Sequence, residues 1–223
     1  MEFVGRWAGG GVFVGALLLC FYSFAFAWGQ RAPFDNSAIA VDAVLFTAFA
    51  AHHSLFAREA VKRWMTRLVP ERLLRSVYVW IASLLLILVC VAWQPIGGEL
   101  YHVQAPWNLV HAAVQLGGLV LIAGAVRAID ALELAGIRTH SKSDPLQITG
   151  PYRLVRHPLY LGWMLATFGP AHMTGDRLAF AAISAFYLVI AVPFEERSLT
   201  ASFGDVYRRY QDLVRWRILP YVY

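Results

Sequence analysis

A polar stretch at the start of an apolar segment reads Gly150-Pro151-Tyr152-Arg153-Leu154-Val155-Arg156-His157-Pro158-Leu159-Tyr160-Leu161-Gly162. It concentrates Arg, His and Tyr side chains at the boundary of an apolar segment, where ionisable groups are costly and therefore functional candidates. The next apolar segment ends at Glu195-Glu196-Arg197. Two polar clusters that cap two consecutive hydrophobic helices indicate a site at the membrane boundary.

The composition around this stretch is that of a membrane protein. The 223 residues are 59% hydrophobic and 15% charged, whereas soluble domains have about a quarter charged residues. Apolar runs of about 20 residues can cross the hydrocarbon core as helices. We predict four full spans and then a shorter helical hairpin that turns at Thr174-Gly175-Asp176; the six segments are Trp7–Trp28, Ile39–Ala57, Val77–Trp93, Leu109–Ala128, Leu159–His172 and Leu178–Phe194.

The predicted fold class is all-α, a polytopic membrane helix bundle of five to six transmembrane helices. The number is open because the fifth segment is short and contains Pro170. The first segment has a competing interpretation, since Ala25-Phe26-Ala27 resembles a signal-peptide cleavage site. We favour a retained helix, because the apolar run is longer than a typical signal core and Arg6 is balanced by Glu2.

The basic residues predict the orientation in the membrane. With six spans, seventeen of the nineteen Lys and Arg residues fall on one face, and only Arg31 and Arg177 on the other. Lys and Arg accumulate on the cytoplasmic side, so both termini are expected in the cytoplasm, with the protein in a bacterial inner membrane. The net charge of +5 is explained by anionic lipid headgroups, and no nucleic-acid partner is needed.

The chain is expected to form a single integrated domain with two functional parts. Residues 1–130 supply the N-terminal transmembrane helices and a basic loop, and residues 131–223 carry most of the polar residues beside membrane segments. After Phe194 the sequence becomes amphipathic, which predicts a helix on the membrane surface or over the site. Its apolar stripe consists of Leu199, Phe203, Tyr207, Tyr210 and Val214.

The stretch before the fifth segment predicts an anion site. Pro158 fits the first position of a helix, so His157 lies near the cap, where free N–H groups and the helix dipole attract a carboxylate. Arg156 and Tyr160 are four residues apart and could flank the same ligand. The alternative remains open that Arg153 and Arg156 contact lipid phosphates while Tyr160 belongs to an aromatic belt.

Three further acidic or imidazole groups are candidates. Glu195 and Glu196 point about 100° apart on a helix, so one of them could face inward to bind a cationic group or position a nucleophile. His53 lies in the second apolar segment, close to the basic loop. The adjacent His52-His53 pair lacks the spacing of a metal motif, and no metal site is predicted.

These motifs resemble a known family. Residues 150–162, the Glu-Glu-Arg-x-Leu of residues 195–199 and the Phe-Gly-x-x-Tyr-x-x-Tyr of residues 203–210 are similar to the isoprenylcysteine carboxyl methyltransferase superfamily. His52-His53-Ser54-Leu55-Phe56-Ala57-Arg58 and Trp93-Gln94-Pro95-Ile96-Gly97-Gly98 look like the methanethiol S-methyltransferase family within it. The chain departs from the family at two places: Val214-Arg215 stands where the family has Val-Pro, and the loop before Gly150 is shorter than in the thiol enzymes. The resemblance therefore identifies the cofactor better than it identifies the methyl acceptor.

The resemblance implies an integral-membrane enzyme that binds S-adenosylmethionine between its last two membrane helices and the C-terminal helix. Arg156 and His157 would then hold the donor's carboxylate, Tyr152 and Tyr160 its adenosine, and Glu195 or Glu196 its amino group or ribose. Residues 131–223 would be the cofactor-binding part and residues 1–130 the acceptor side. A thiol acceptor must become a thiolate, and His53 with Arg58, together with Glu196, are the candidate catalytic residues.

The expected function is therefore methyl transfer from S-adenosylmethionine to a small or lipophilic thiol. Carboxyl methylation of a prenylcysteine and N-methylation of a lipid amine are competing reactions of the same class. An NADPH-dependent enzyme of the sterol-reductase kind and a non-catalytic membrane protein are the alternatives from other classes. The expected partners are this acceptor and the membrane lipids.

Overall fold

The architecture is almost entirely helical in the computed structural model, which describes residues 2–30, 32–56, 59–129, 132, 135, 137 and 145–223. The helices are α1 (Glu2–Ala25), α2 (Ser37–Phe56), α3 (Glu59–Met65), α4 (Glu71–Ala92), α5 (Asn108–Ala128), α6 (Pro158–Phe168), α7 (Gly175–Phe203) and α8 (Asp205–Leu213). Strands β1 (Glu99–His102) and β2 (His172–Thr174) pair in a two-stranded sheet. Short 3-10 turns cover Ala27–Gly29 and Gly150–Arg153.

Within the described residues, five helices are long and apolar enough to cross a membrane: α1 with the turn after it, α2, α4, α5 and α7. This confirms the predicted membrane helix bundle. The apolar side chains on these helices are widely exposed, as Val44 (70%) and Val91 (72%) show, which suits a surface that faces lipid.

The predicted fifth segment, Leu159–His172, is shorter than expected. Helix α6 has 11 residues and a length of about 16 Å, roughly half of the hydrocarbon core. It ends at Phe168 because Gly169-Pro170 follows, and Pro after a helix end cannot continue the helix. The connection to α7 is therefore not a tight turn at residues 174–176; it contains β2, and α7 begins at Gly175.

The contacts divide the chain into two compact units. Unit 1 comprises Met1–Glu99, Ala131–Ser141 and Thr174–Ala179, and unit 2 comprises Leu100–Asp130, Lys142–Met173 and Phe180–Tyr223. In unit 1, α4 packs against α1 and α2. The carboxylate of Asp176 accepts hydrogen bonds from Trp93 Nε1, Ile96 N and Gly97 N at 3.0, 2.9 and 2.8 Å, which fixes the chain beyond α4.

In unit 2, helices α5 and α6 cross at two glycines. A Cβ atom at Gly118 would lie 2.6 Å from the carbonyl oxygen of Gly162, and one at Gly162 would lie 2.7 Å from that of Gly118. Small residues allow helix backbones to approach closely in membranes, where packing rather than the hydrophobic effect drives association. The core below the crossing consists of Val155, Leu161, Val192 and Ile218, with Leu121, Met164 and Trp216 against it.

The predicted amphipathic segment is a separate short helix. Gly204 has φ +55°, a left-handed conformation that Gly tolerates best, and it ends α7 and begins α8. The apolar stripe predicted from the sequence faces inward: Tyr207 and Tyr210 are buried, and Leu199, Phe203 and Val214 are partly buried. Helix α8 therefore returns over the end of α7 and toward the start of α6.

Candidate active site

A buried ion pair connects the start of α6 to α7. Arg156 Nε donates to Glu196 Oε1 at 2.6 Å, and the two side chains are 6% and 7% exposed. Arg156 Nη1 also donates to the carbonyl oxygens of Val214 and Arg215 at 2.7 and 3.0 Å. The guanidinium of Arg156, which we expect to hold a ligand's carboxylate, thus already donates to three oxygen atoms of the protein.

The C-terminal segment, residues 214–217, runs beside residues 156–157. The backbone N–H groups of Arg156 and His157 donate to the carbonyl oxygens of Trp216 and Arg217 at 2.9 and 2.8 Å. Together with the side-chain bonds of Arg156, these contacts satisfy backbone groups that would otherwise be unpaired near lipid. They hold the C-terminal segment against the cap of α6.

Glu196 is the centre of this arrangement. Besides Arg156, its carboxylate lies 3.5 Å from His157 Nε2 and 3.3 Å from Arg217 Nε. Gln211 Nε2 donates to Glu196 Oε2 at 3.5 Å. Residues from the turn before α6, from α8 and from the C-terminal segment therefore converge on one carboxylate of α7, which orients all of them.

His157 and Glu195 form the next part of the cluster. His157 Nδ1 lies 3.4 Å from Glu195 Oε2, which also accepts a hydrogen bond from the Tyr160 hydroxyl at 2.8 Å. Burial opposes protonation of His157, but hydrogen bonds and negative charge from Glu195 and Glu196 outweigh it and raise the pKa of the imidazole. The His157 and Tyr160 rings stack with centroids 5.3 Å apart.

Two tyrosines lie next to the charged cluster. Tyr210 donates to the carbonyl oxygen of Tyr152 at 2.7 Å, so α8 is tied to the turn before α6. Burial, and then the charges of Glu195 and Tyr210, raise the pKa of Tyr152. Burial raises the pKa of Tyr210 to about 12, although the charge of Arg156 lowers it. Both phenols stay neutral in the physiological range.

A pocket of about 370 Å³ opens beside Glu196. Its lining comes from α7, α8 and the C-terminal segment: Pro193, Glu196, Arg197, Thr200, Gln211 and Arg217. Pockets that bind small molecules have about 300–1,000 Å³ and a few convergent polar groups. One polar atom in this cluster, the Tyr207 hydroxyl, is buried without a hydrogen-bond partner among the described residues.

His53, a candidate catalytic residue on the predicted acceptor side, belongs to unit 1. The Tyr78 hydroxyl and His53 Nδ1 are hydrogen-bonded, and His52 stacks on Tyr78 with ring centroids 5.3 Å apart. Arg75 lies over the Tyr78 ring at 5.2 Å. Arg58, predicted to act with His53, lies outside the described residues.

The structure thus brings six predicted residues together in unit 2: Tyr152, Arg156, His157, Tyr160, Glu195 and Glu196. The site also contains Arg217, Gln211 and Thr200, and nothing in their spacing marks them in the sequence. Tyr207 was assigned only to an apolar stripe. Its position in the Phe-Gly-x-x-Tyr-x-x-Tyr motif was the signal that could have identified it.

Comparisons with known proteins agree with this picture. A family profile described as phospholipid methyltransferase matches residues 110–206. A methanethiol S-methyltransferase of Pseudomonas sp. is 38% identical over 218 residues, which cover 89% of this chain and 83% of the relative. That of Mycobacterium tuberculosis is 36% identical over 186 residues, 79% of this chain and 76% of the relative. Nurim of Sus scrofa is 31% identical over 183 residues, 72% of this chain and 68% of the relative.

No solved structure gives a significant match to this chain. The helical membrane bundle and the matched profile define an integral-membrane methyltransferase. Within that class, the chain belongs to the methanethiol S-methyltransferase family, whose members match it over most of its length. The resemblance seen in the sequence is confirmed.

Proposed function

We propose that this enzyme transfers a methyl group from S-adenosylmethionine to a small or lipophilic thiol, with methanethiol as the reference acceptor. The observation that carries the proposal is the pocket beside Glu196, which joins acidic, basic, amide and hydroxyl groups from three parts of unit 2. Two of its residues, Glu196 and Arg197, belong to the Glu-Glu-Arg-x-Leu motif. The names of the relatives support a thiol as the acceptor.

The pocket residues fit this methyl donor in charge and size. S-adenosylmethionine carries a carboxylate, an ammonium group, ribose hydroxyls and a sulfonium, so it needs donors and acceptors of both signs. Arg197 and Arg217 supply positive charge, and Gln211 and Thr200 supply neutral polar groups. The Tyr207 hydroxyl, which is buried without a hydrogen-bond partner among the described residues, also favours a polar ligand, because buried polar groups are rarely left unpaired.

The structure supports dividing the residues of the site into two roles. Arg156 and Glu196 act as positioning residues, because they are engaged with each other and with the C-terminal segment. Glu195, whose side chain is 46% exposed, and Arg217, whose side chain is 38% exposed, face outward enough to contact the donor. In this proposal Arg217, which lines the pocket, binds the donor's carboxylate. Glu195, Tyr152 and Tyr160 lie outside that lining, so the donor extends beyond the pocket, with its ammonium group at Glu195 and its adenosine against the two tyrosines.

The chain contributes alignment rather than covalent chemistry. When bound, S-adenosylmethionine supplies an electrophilic methyl group on a positively charged sulfonium. The protein residues hold the donor in one orientation and exclude water, and placing two reactants in line is worth several powers of ten in rate. Glu196 serves this alignment by holding Arg156, His157 and Arg217 in fixed positions.

The acceptor thiol requires deprotonation, because the thiolate is the nucleophile. We assign this step to His53, with Arg58 providing positive potential for the thiolate. The hydrogen bond between His53 Nδ1 and Tyr78 supports the assignment, since a partner on one ring nitrogen fixes the tautomer and orientation that the other presents. The same proposal places the protein in a bacterial inner membrane with the donor site on the cytoplasmic face.

A lipid amine is the second candidate acceptor, because the matched profile is that of phospholipid methyltransferases. Incubation of the purified enzyme with methyl-labelled S-adenosylmethionine separates the acceptors. Methanethiol, a long-chain alkanethiol, a prenylcysteine and phosphatidylethanolamine are compared at equal concentration. We expect label in the two thiols only. Label in phosphatidylethanolamine alone would transfer the assignment to the lipid amine, and no label in any acceptor would refute methyl transfer of this kind.

His53→Gln and Tyr78→Phe test the thiol step in the same assay. We expect both to lower the rate with methanethiol at neutral pH, and we expect the loss to shrink as the pH approaches the thiol's own pKa. A thiol rate that is unchanged in His53→Gln would remove His53 from the mechanism and leave the donor site untouched.

A further inference from the structure

We propose that a second pocket in unit 2 binds the headgroup of an anionic phospholipid. This pocket, of about 320 Å³, lies between the turn before α6 and the C-terminal segment. Its lining consists of Arg153, Leu154, Leu213, Val214, Arg215, Trp216, Pro220 and Tyr221. It shares none of these residues with the lining of the pocket beside Glu196.

The charge of the pocket selects an anion. Arg153 and Arg215 are both exposed and bring two guanidinium groups to one cavity, and none of the eight lining residues is acidic. Planar guanidinium groups match the oxygens of a phosphate and can bind them in pairs. A phosphodiester is thus the anionic group that the two arginines fit.

The apolar residues at the same pocket select a lipid rather than a free phosphate. The exposed fractions are 53% for Leu154, 80% for Leu213 and 86% for Tyr221. Trp216 and Tyr221 pack together with ring centroids 5.3 Å apart, and such aromatic residues are typical of the level of lipid headgroups. Since α6 begins only five residues after Arg153, the pocket lies next to the start of an apolar helix, where headgroups are available.

Three residues that line this pocket, Val214, Arg215 and Trp216, also contact Arg156 in the candidate active site. The carbonyl oxygens of Val214 and Arg215 accept from Arg156 Nη1, and that of Trp216 accepts from the backbone of Arg156. A lipid bound between Arg153 and Arg215 would therefore hold residues 214–216 in the position that supports Arg156. We expect anionic lipid to stabilise the fold, whichever methyl donor or acceptor the enzyme uses.

The test uses the full chain in nanodiscs of dioleoylphosphatidylcholine, with or without one fifth dioleoylphosphatidylglycerol. Native mass spectrometry measures the phosphatidylglycerol that stays bound, and thermal unfolding measures the stabilisation. Arg153→Gln and Arg215→Gln are compared with Arg209→Gln, which removes an exposed charge from α8 outside the pocket. The double variant Arg153→Gln/Arg215→Gln is compared with Arg208→Gln/Arg209→Gln. The ion pair that this control removes, between Arg208 and Asp205, is exposed and contributes little to stability.

We expect phosphatidylglycerol to raise the unfolding temperature of the wild type and of both controls. Its retention should fall roughly fivefold for each arginine removed from the pocket, since one basic residue near an anionic surface is worth about 1 kcal/mol. Arg153→Lys/Arg215→Lys, which keeps both charges, should keep most of the effect. Retention in the double glutamine variant that equals its control would overturn the proposal. Equal stabilisation by inorganic phosphate in neutral nanodiscs would assign the pocket to a free anion instead.

Discussion

Arg156 and Glu196, forty residues apart in sequence, form a buried ion pair with Nε 2.6 Å from Oε1. The charge of each side chain is therefore already neutralised within the protein, without a bound ligand. Glu196 extends the contact to His157 and Arg217, and Arg156 extends it to the C-terminal segment. The pair is therefore the framework on which the rest of the candidate site is built.

Removing Arg156 should destabilise the whole of unit 2. Leaving one partner of a buried ion pair without the other costs about 3–5 kcal/mol, so Arg156→Ala should lower the unfolding temperature strongly in detergent or nanodiscs. Arg156→Lys should recover only part of the loss, because an ammonium group cannot bind Glu196 and two carbonyl groups with the same geometry. If the unfolding temperature of Arg156→Ala lay within about a degree of the wild type, the proposal that Arg156 stabilises unit 2 by connecting Glu196 with the C-terminal segment would be contradicted.

His157 should make stability depend on pH. Because its pKa is raised in the folded protein, its contribution is complete below the ordinary value of about 6.5. That contribution is lost as the pH rises through the folded value. Thermal unfolding followed from pH 6.5 upward should show a decline in the wild type that is smaller in His157→Gln. The same slope in both proteins would show that His157 does not interact with Glu195 and Glu196 in this way.

The crossing of α5 and α6 should tolerate no added methyl group. Gly162→Ala would place a Cβ atom 2.7 Å from the Gly118 carbonyl oxygen, and such overpacking typically costs about 1–3 kcal/mol. Gly117, the neighbour of Gly118 on helix α5, offers a control, since a Cβ atom there would meet nothing within 4 Å. Gly117→Ala should be neutral or stabilising, because Ala favours a helix over Gly. Equal unfolding temperatures for the two variants would contradict the close crossing.

The orientation can be tested with single cysteines, because Cys20 and Cys90 are both buried. Gln104 and Arg209 are exposed and are predicted on opposite sides of the membrane. In intact spheroplasts, a membrane-impermeant maleimide should label Gln104→Cys, whereas Arg209→Cys should react only after lysis. The reverse labelling pattern would place the donor site on the outer face and contradict the distribution of basic residues.

Hydropathy was sufficient to predict the membrane bundle, because a span needs only a run of apolar residues of the right length. The length of α6 was overestimated because Leu159–His172 continues as an apolar run beyond Gly169-Pro170, and these two residues end the helix. The amphipathic pattern continues across Gly204, although Gly is a poor helix former, so the pattern alone predicts one continuous helix. In the structure α8 is a separate helix, with Tyr207 and Tyr210 buried. This separation depends on the positive φ of Gly204, a backbone conformation that cannot be read from the sequence.

The candidate site was predicted as a set of residue types but not as a set of contacts. Local spacing indicated that Arg156, His157 and Glu196 carry chemistry, and the structure brings them within hydrogen-bonding or ion-pair distance. That Arg156 binds Glu196 could not be predicted, since both residues were equally suited to an external ligand. Arg217 enters the site because the C-terminal segment pairs with residues 156–157, and Gln211 enters it because α8 returns to Glu196. Both are tertiary contacts without a sequence signal.

Calorimetric titration with S-adenosylhomocysteine, the product of the proposed methyl donor, tests the central claim most directly. NADPH is titrated as the alternative ligand, and Glu195→Gln and Arg217→Gln are compared with Arg209→Gln. A hydrogen bond to a charged group contributes about 1.5–3 kcal/mol, so each of the first two variants should bind S-adenosylhomocysteine at least tenfold more weakly than the control, while NADPH should not bind. Absence of S-adenosylhomocysteine binding to the wild type, or binding of NADPH in its place, would contradict the account.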